Sequence, residues 1–300
     1  MIDTAIDPGR AACFKRSMFP ELATLGPLRD RYDTLYCDVW GVIRDGTDLL
    51  PEAVEALIRF RETGGRVCLV SNSPRRSSSL AHFLTDMGLP DEATDAIVTS
   101  GDAIREELVK RSPGRALNIG PERDGSLYEG LALEFTGIED ADFISCTGPD
   151  DYLNGRPEDY DAVLARALDR GLDLVCANPD IVVQSGNRLI FCAGAIARHY
   201  RRMGGTSIVA GKPHRPIYAL ARAALEARGF AVDLTRVLAI GDGPETDVEG
   251  ATRAGVDCLF IAGGILGETL DGGRLDVETA AAALKDYGVT ARFVADRLTW

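Results

Sequence analysis

Thr34-Leu35-Tyr36-Cys37-Asp38-Val39-Trp40-Gly41-Val42 is an apolar, β-favouring run that ends in an aspartate and breaks at a glycine. This pattern predicts a buried strand that carries a carboxylate to its C-terminal tip. Ligands of open α/β sheets bind at the carboxyl ends of the strands, which places Asp38 where chemistry is expected. Read alone, the same aspartate could simply cap the loop that follows.

Outward from this strand, the chain alternates strands and helices. Arg44-Asp45-Gly46-Thr47-Asp48 is a polar loop, and Pro51 then opens a helix that stops at Gly64-Gly65, with proline inside the start and glycine past the end. Arg66–Val70 is a second buried strand running into Ser71-Asn72-Ser73-Pro74. A helix to Gly88, a strand at Ala96–Thr99 and a helix to Arg111 follow, up to the breaker Ser112-Pro113-Gly114. A second alternation begins there. It has strands at Ala116–Ile119, Asp142–Cys146 and Leu172–Ala177, a helix over Glu158–Gly171, and a hairpin turning at Ser185-Gly186-Asn187.

A helix to Gly204-Gly205 closes that module. The final third resumes with strands at Ser207–Val209, Val237–Ile240 and Cys258–Ile261 and ends in a late helix and strand. Upstream, residues 1–33 read as an extended lead-in with one short helix. Alternation of this kind implies an α/β fold with a parallel sheet and right-handed crossovers. The expected organisation is a core built from residues 1–112 and 206–300, with an αβ module over 113–205 inserted between them.

Three hundred residues is comfortable for two domains. A net charge of −13 argues against nucleic acid or an anionic membrane as partner. No apolar run approaches about 18 residues, so no membrane span is expected. The N-terminus lacks the continuous apolar core of a signal peptide. Seven cysteines form no CxxC pair and are odd in number. They are expected to be free thiols in a reducing cytoplasm, with neither a zinc site nor a disulfide framework.

Four strand ends present a coherent set: Asp38, Ser71-Asn72, Lys212, and Asp242 with Asp247. Each alone has a capping or solvated reading. Gathered on one sheet edge, they are what phosphoryl transfer needs. Asp38 and Asp242 could hold Mg²⁺, a hard cation that takes one or two carboxylates plus substrate oxygens. Ser71 and Lys212 could hold the other phosphate oxygens. Asp38 would be the nucleophile.

The order and spacing of these motifs resemble the haloacid dehalogenase superfamily. Within it they are similar to the class IIA phosphatases of nitrophenyl-phosphatase and pyridoxal-phosphate-phosphatase type. The matching segments are Asp38-Val39-Trp40-Gly41-Val42, Ser71-Asn72-Ser73, Gly211-Lys212-Pro213 and Gly241-Asp242 through Thr246-Asp247, with Ala177-Asn178-Pro179-Asp180 and the Gly194-Ala195 region inside the insert. The resemblance runs from about residue 34 to the C-terminus. It implies a Rossmann-like core with a mobile αβ cap, Mg²⁺ as cofactor, and a small phosphorylated metabolite as substrate. Asn178 and Asp180 would border that substrate, and a turn-forming Asn-Pro-Asp is the alternative. It further implies metal ligation by Asp38, Asp242 and the backbone carbonyl at position 40, with Asp247 in support. A homodimer through the cap is consistent with it.

One departure bears on activity. The family's second aspartate, which protonates the leaving group and later activates water, is Trp40 here. General acid–base catalysis typically contributes about 10²–10⁴-fold, so a phosphatase that is slow, selective for good leaving groups, or inactive is the expectation. Asp45 in the following loop could substitute as proton carrier. Trp40 itself either packs under the cap or flap or stacks on a planar substrate. A phosphonatase-like or phosphotransfer enzyme and a non-catalytic phosphate-binding protein are the alternatives. His82, His199 and His214 are dispersed, and His214 is the best placed of them. Arg75-Arg76 could supply positive charge to a substrate or simply begin a helix, and Gly263-Gly264 reads as a backbone turn.

Overall fold

The computed structural model of the protein describes residues 19–185, 188–266 and 275–300. Its strands form two parallel sheets. The first has seven strands in the order Glu21–Leu22, Phe293–Ala295, Asp257–Ile261, Val237–Gly241, Thr34–Cys37, Arg66–Ser71 and Ala96–Thr99. Its central strands are buried along their whole length, every residue of Thr34–Cys37 and of Val237–Gly241 included. Burial on both faces is why these segments read as unbroken apolar runs rather than alternating ones. The helix Pro51–Glu62 starts on its proline and lays Ala53, Val54, Ala56, Leu57 and Phe60 against the sheet. That is the one-faced stripe of a surface helix.

The second sheet has five strands, in the order Ser207–Val209, Leu174–Cys176, Phe143–Cys146, Gly114–Ile119 and Leu133–Phe135. It is inserted between Ala96–Thr99 and Val237–Gly241 of the first sheet. The fold is therefore a Rossmann-like parallel core carrying an inserted αβ cap. A separate antiparallel hairpin, Val182–Ser185 with Arg188–Phe191, projects from the cap. The expected turn residues Gly186 and Asn187 lie outside the described residues.

Three placements differ from the sequence reading. Ser207–Val209, expected to open the second half of the core, pairs with Leu174–Cys176 in the cap sheet. Both sheets are parallel, so nothing in a three-residue apolar strand tells which of them it joins. Leu133–Phe135 was not anticipated, and neither was Glu21–Leu22, which adds an edge strand to the core within the supposed lead-in. Edge strands this short carry no periodicity. Among the described residues, no helix is long and apolar enough to cross a membrane. Six cysteines are free and buried, and Cys13 lies outside the described residues.

Candidate active site

Parallel strands in close register bring their carboxyl ends to one edge. Cys37 stands opposite Leu69 on one side and Ile240 on the other. The residues at and just beyond the ends of these strands, Asp38, Ser71-Asn72 and Asp242, therefore emerge side by side. The Asp38 N–H continues the ladder by donating to Ile240 O at 2.8 Å, which fixes where its carboxylate points.

Asp38, Asp242 and Asp247 are buried, and each offers an oxygen within 4.8 Å of the others. Lys212, 3% exposed, enters the cluster. Its Nζ lies 2.7 Å from Asp38 Oδ1 and 2.8 Å from Asp247 Oδ1. The lysine is itself set by Asn72, whose Oδ1 accepts the Lys212 N–H at 2.8 Å. The Asn72 amide donates onward to Asp180 Oδ1 of the cap at 2.7 Å. A single core asparagine thus orients the lysine and joins core to cap. Ser71 Oγ accepts the Ser73 N–H at 3.2 Å, which leaves its own proton available to a ligand.

Electrostatics tie the cluster to a cation. Burial, then the neighbouring Asp247, drives the Asp38 carboxyl well above the usual range, against the pull of Lys212. Burial and Asp247 push Asp242 up to about 7. Burial works against the Lys212 ammonium, but Asp247 and Asp38 outweigh it and hold it firmly protonated. Three carboxylates face one ammonium, and the crowded donors are all oxygen. That set suits a hard divalent cation.

Space for this crowding comes from glycine. A Cβ at Gly41, whose φ is +79°, would fall 2.1 Å from Asp242 Oδ2. At Gly264 it would fall 2.2 Å from the same oxygen. Asp242 Oδ2 also accepts the Ile265 N–H at 2.7 Å. Gly264 is thus part of the aspartate's housing as well as a turn.

Residues 35–134 match the haloacid dehalogenase-like hydrolase family, and residues 209–299 match a HAD-hydrolase-like family. A crystal structure of a haloacid dehalogenase-like hydrolase from Brucella suis 1330 is 44% identical, with a TM-score of 0.79 over 87% of this chain and 96% of that one. The chain belongs to the haloacid dehalogenase-like hydrolases. A 5'-nucleotidase of Bacillus subtilis (strain 168) is 25% identical over 238 residues, 78% of this chain and 88% of the relative. A glycerol phosphate phosphatase of Mycobacterium tuberculosis, solved in complex with calcium, is 25% identical with a TM-score of 0.59, over 79% of this chain and 68% of that one.

In this hydrolase Trp40 is half-buried, and its indole N–H donates to Gln184 O of the cap hairpin at 2.6 Å. Residues 40–49 form a small flap, closed by bridges Trp40–Arg44 and Arg44–Leu49. The Arg44 guanidinium covers the Trp40 ring at 4.2 Å. The ring therefore packs between flap and cap, and it also lines a cavity of about 420 Å³ together with Ser71, Asn178 and Asp180.

Asp45 is exposed at the flap tip, where Oδ1 accepts the Asp48 N–H at 3.3 Å. It is not among the carboxylates gathered around Lys212. Asn178 Oδ1 accepts the Asp180 N–H at 3.0 Å, an Asx turn that aims Asp180 at Asn72. His199 pairs with Asp161 at 2.5 Å on the cap. His214 precedes the helix Arg215–Glu226 and lines a second cavity, of about 550 Å³, that also touches Asp180.

Sequence reasoning did not single out Arg44, although it is 6% exposed. A polar loop between glycine and aspartate gives no signal that its arginine turns inward. The Asn72–Asp180 contact spans 108 residues, beyond the reach of any local pattern.

Proposed function

We propose that this hydrolase is a Mg²⁺-dependent phosphatase of small phosphorylated metabolites, working through an aspartyl-phosphate on Asp38. The observation that carries the reading is the placement of Lys212 Nζ, 2.7 Å from Asp38 and 2.8 Å from Asp247, beside Asp242 on the sheet's carboxyl edge. The nucleotidase and phosphatase names of the B. subtilis and M. tuberculosis proteins and the calcium in the latter's structure agree with it.

Asp38, Asp242 and the Trp40 backbone carbonyl would hold the Mg²⁺, with Asp247 positioning Lys212. When bound, the ion supplies charge neutralisation at the phosphoryl oxygens and the attacking carboxylate. Asp38 attacks phosphorus, the ester P–O bond breaks, and the phosphoryl group passes to the carboxylate. Lys212 and the Ser71 hydroxyl hold the equatorial oxygens as charge shifts. Water then attacks the phosphorus of the acyl phosphate, releasing phosphate and restoring Asp38. The cap, whose sheet runs from Gly114 to Val209, supplies Asp180 and the Val182–Phe191 hairpin to enclose the substrate.

Trp40 carries no acid, so the leaving group departs without the proton usually supplied from this position, and water attacks without the usual base. Turnover is slow and favours good leaving groups. The same residue favours a second reading, in which the aspartyl-phosphate persists and is passed to an acceptor other than water.

The test is phosphate release from a panel of phosphomonoesters with Mg²⁺, comparing wild type with Asp38→Asn. Turnover that the substitution abolishes is the expected result. Equal release by both proteins removes Asp38 as nucleophile and the reading with it. A stoichiometric, acid-stable phosphoenzyme without steady release selects the transfer reading.

A further inference from the structure

The 420 Å³ cavity between flap and cap is lined by Ser71 and Asp180, from the reacting end of the site, and by three arginines, Arg44, Arg75 and Arg123. Arg44 is more than nine-tenths buried. It covers Trp40 at 4.2 Å and Phe83 at 5.0 Å, and its Nη2 donates to Gly46 O at 2.7 Å. Among the described residues its Nε has no partner. Arg75, half-buried, sits over the same Phe83 ring at 4.9 Å.

Neither the Arg44 nor the Arg75 guanidinium has a carboxylate within ion-pair distance among the described residues. Two acids share the cavity, and Asp124 acts on Arg75 from beyond ion-pair distance. Asp124 lies 3.9 Å from Arg123, and Asp180 accepts from Asn72. Burial disfavours the charge on both Arg44 and Arg75; at Arg44 Tyr152 opposes it and Arg75 adds to it, and at Arg75 Asp124 opposes it and Arg123 adds to it. Arginine nevertheless stays protonated in proteins.

A chain with a net charge of −13 has carboxylates in excess, yet among the described residues only Asp124 acts strongly on Arg75, from beyond ion-pair distance. Asp124 offsets part of this charge, and three guanidiniums against two cavity carboxylates leave a place for an anion from outside. A guanidinium fork matches the planar oxygens of a carboxylate or the oxygens of a phosphate.

We infer that the substrate carries a second anionic group, a carboxylate or a further phosphate, which Arg44 and Arg75 bind while the first phosphate reacts at Asp38. The inference deepens the phosphatase reading and rests on it for the placement of the reacting group. It narrows the substrate class to phosphate esters with a charged tail.

The experiment compares 3- and 4-carboxyphenyl phosphate with the 3- and 4-carbamoylphenyl esters, which keep the shape and remove the tail charge. The amide is the better leaving group, so intrinsic reactivity runs against the expected preference. The 1,3- and 1,4-phenylene bisphosphates separate a phosphate tail from a carboxylate. Wild type is expected to favour the charged member by about tenfold or more in kcat/KM, the usual scale of a hydrogen-bonded charge pair. Arg75→Met is expected to erase that ratio, and Arg75→Lys to restore part of it.

Equal rates within each wild-type pair overturn the inference and leave the phosphatase reading standing. So does an Arg75→Met protein that slows both members alike. If no ester is turned over in an Asp38-dependent way, the phosphatase reading fails, and binding decides the inference. Thermal stabilisation by 4-(phosphonomethyl)benzoate must then exceed that by 4-(phosphonomethyl)benzamide, and Arg75→Met must remove the difference. Equal shifts overturn it.

Discussion

Lys212 Nζ stands between Asp38 Oδ1 and Asp247 Oδ1, within 2.8 Å of each, and is 3% exposed. It is the only ammonium against three buried carboxylates among the described residues of the cluster. Removing one partner of a buried pair leaves uncompensated charge. Lys212→Met is expected to lower stability by about 3 kcal/mol and to abolish turnover. Because a divalent cation offsets the same charges, Mg²⁺ should raise the melting temperature of this variant more than that of wild type. Thermal scans with EDTA and with Mg²⁺ make the comparison, and an equal Mg²⁺ shift in both proteins would show that ion and lysine do not share the cluster.

What was legible in the sequence follows from burial. Thr34–Cys37, Arg66–Ser71 and Val237–Gly241 are core strands of a parallel sheet, so their apolar runs stop where the polar edge begins. Asp38, Ser71 and Asp242 were therefore readable as edge residues, and the structure brings them together. What was not legible depends on contacts between distant segments. The sheet joined by Ser207–Val209, the inward turn of Arg44, and the bond from Asn72 to Asp180 are settled by packing of the cap on the core. Asp45 shows the converse. Its position in a flap suggested a proton carrier, and its exposed carboxylate accepts the Asp48 N–H at 3.3 Å, outside the cluster around Lys212.

Gly264 makes a second prediction. Alanine there would place its Cβ 2.2 Å from Asp242 Oδ2 and 2.3 Å from Asp242 Cβ. Backbone or carboxylate must move, and overpacking of this kind costs about 1–3 kcal/mol. Gly264→Ala is expected to weaken Mg²⁺ binding, measured by calorimetry, beyond this general destabilisation. A variant that is less stable but binds Mg²⁺ as tightly as wild type would remove Asp242 from the ligand set.

His214 gives a pH dependence of stability. Burial, then Arg253 and Arg201, hold its pKa below the ordinary value. The folded protein therefore resists a proton that the unfolded chain accepts near pH 6.5. Stability present above that pH falls as the pH drops through it, because the unfolded state binds more protons. His214→Gln lacks this loss. Urea midpoints of the two proteins should converge at pH 8 and separate towards pH 5, with the variant relatively favoured on the acid side. A constant difference across that range would show that His214 titrates alike in both states.

Trp40 makes the last prediction. Its indole N–H is committed to Gln184 O at 2.6 Å and its ring to Arg44 at 4.2 Å, so the position has no proton to give. In a series of substituted phenyl phosphates, kcat/KM should fall steeply as the leaving phenol becomes more basic, because the P–O bond breaks without protonation. For the most acidic phenols, attack by Asp38 outruns hydrolysis of the aspartyl-phosphate. There kcat should level off, and rapid mixing should show a burst of phenolate equal to the enzyme concentration. For basic phenols the burst disappears, because formation of the phosphoenzyme limits turnover. The missing acid is conventionally worth about 10²–10⁴-fold, so alkyl phosphates should lag the nitrophenyl ester by at least that margin. A flat dependence of kcat/KM on leaving-group basicity, with no burst, would mean that another residue protonates the leaving group. Asp180 is then the first to substitute, since it lines the cavity and sits 2.7 Å from Asn72.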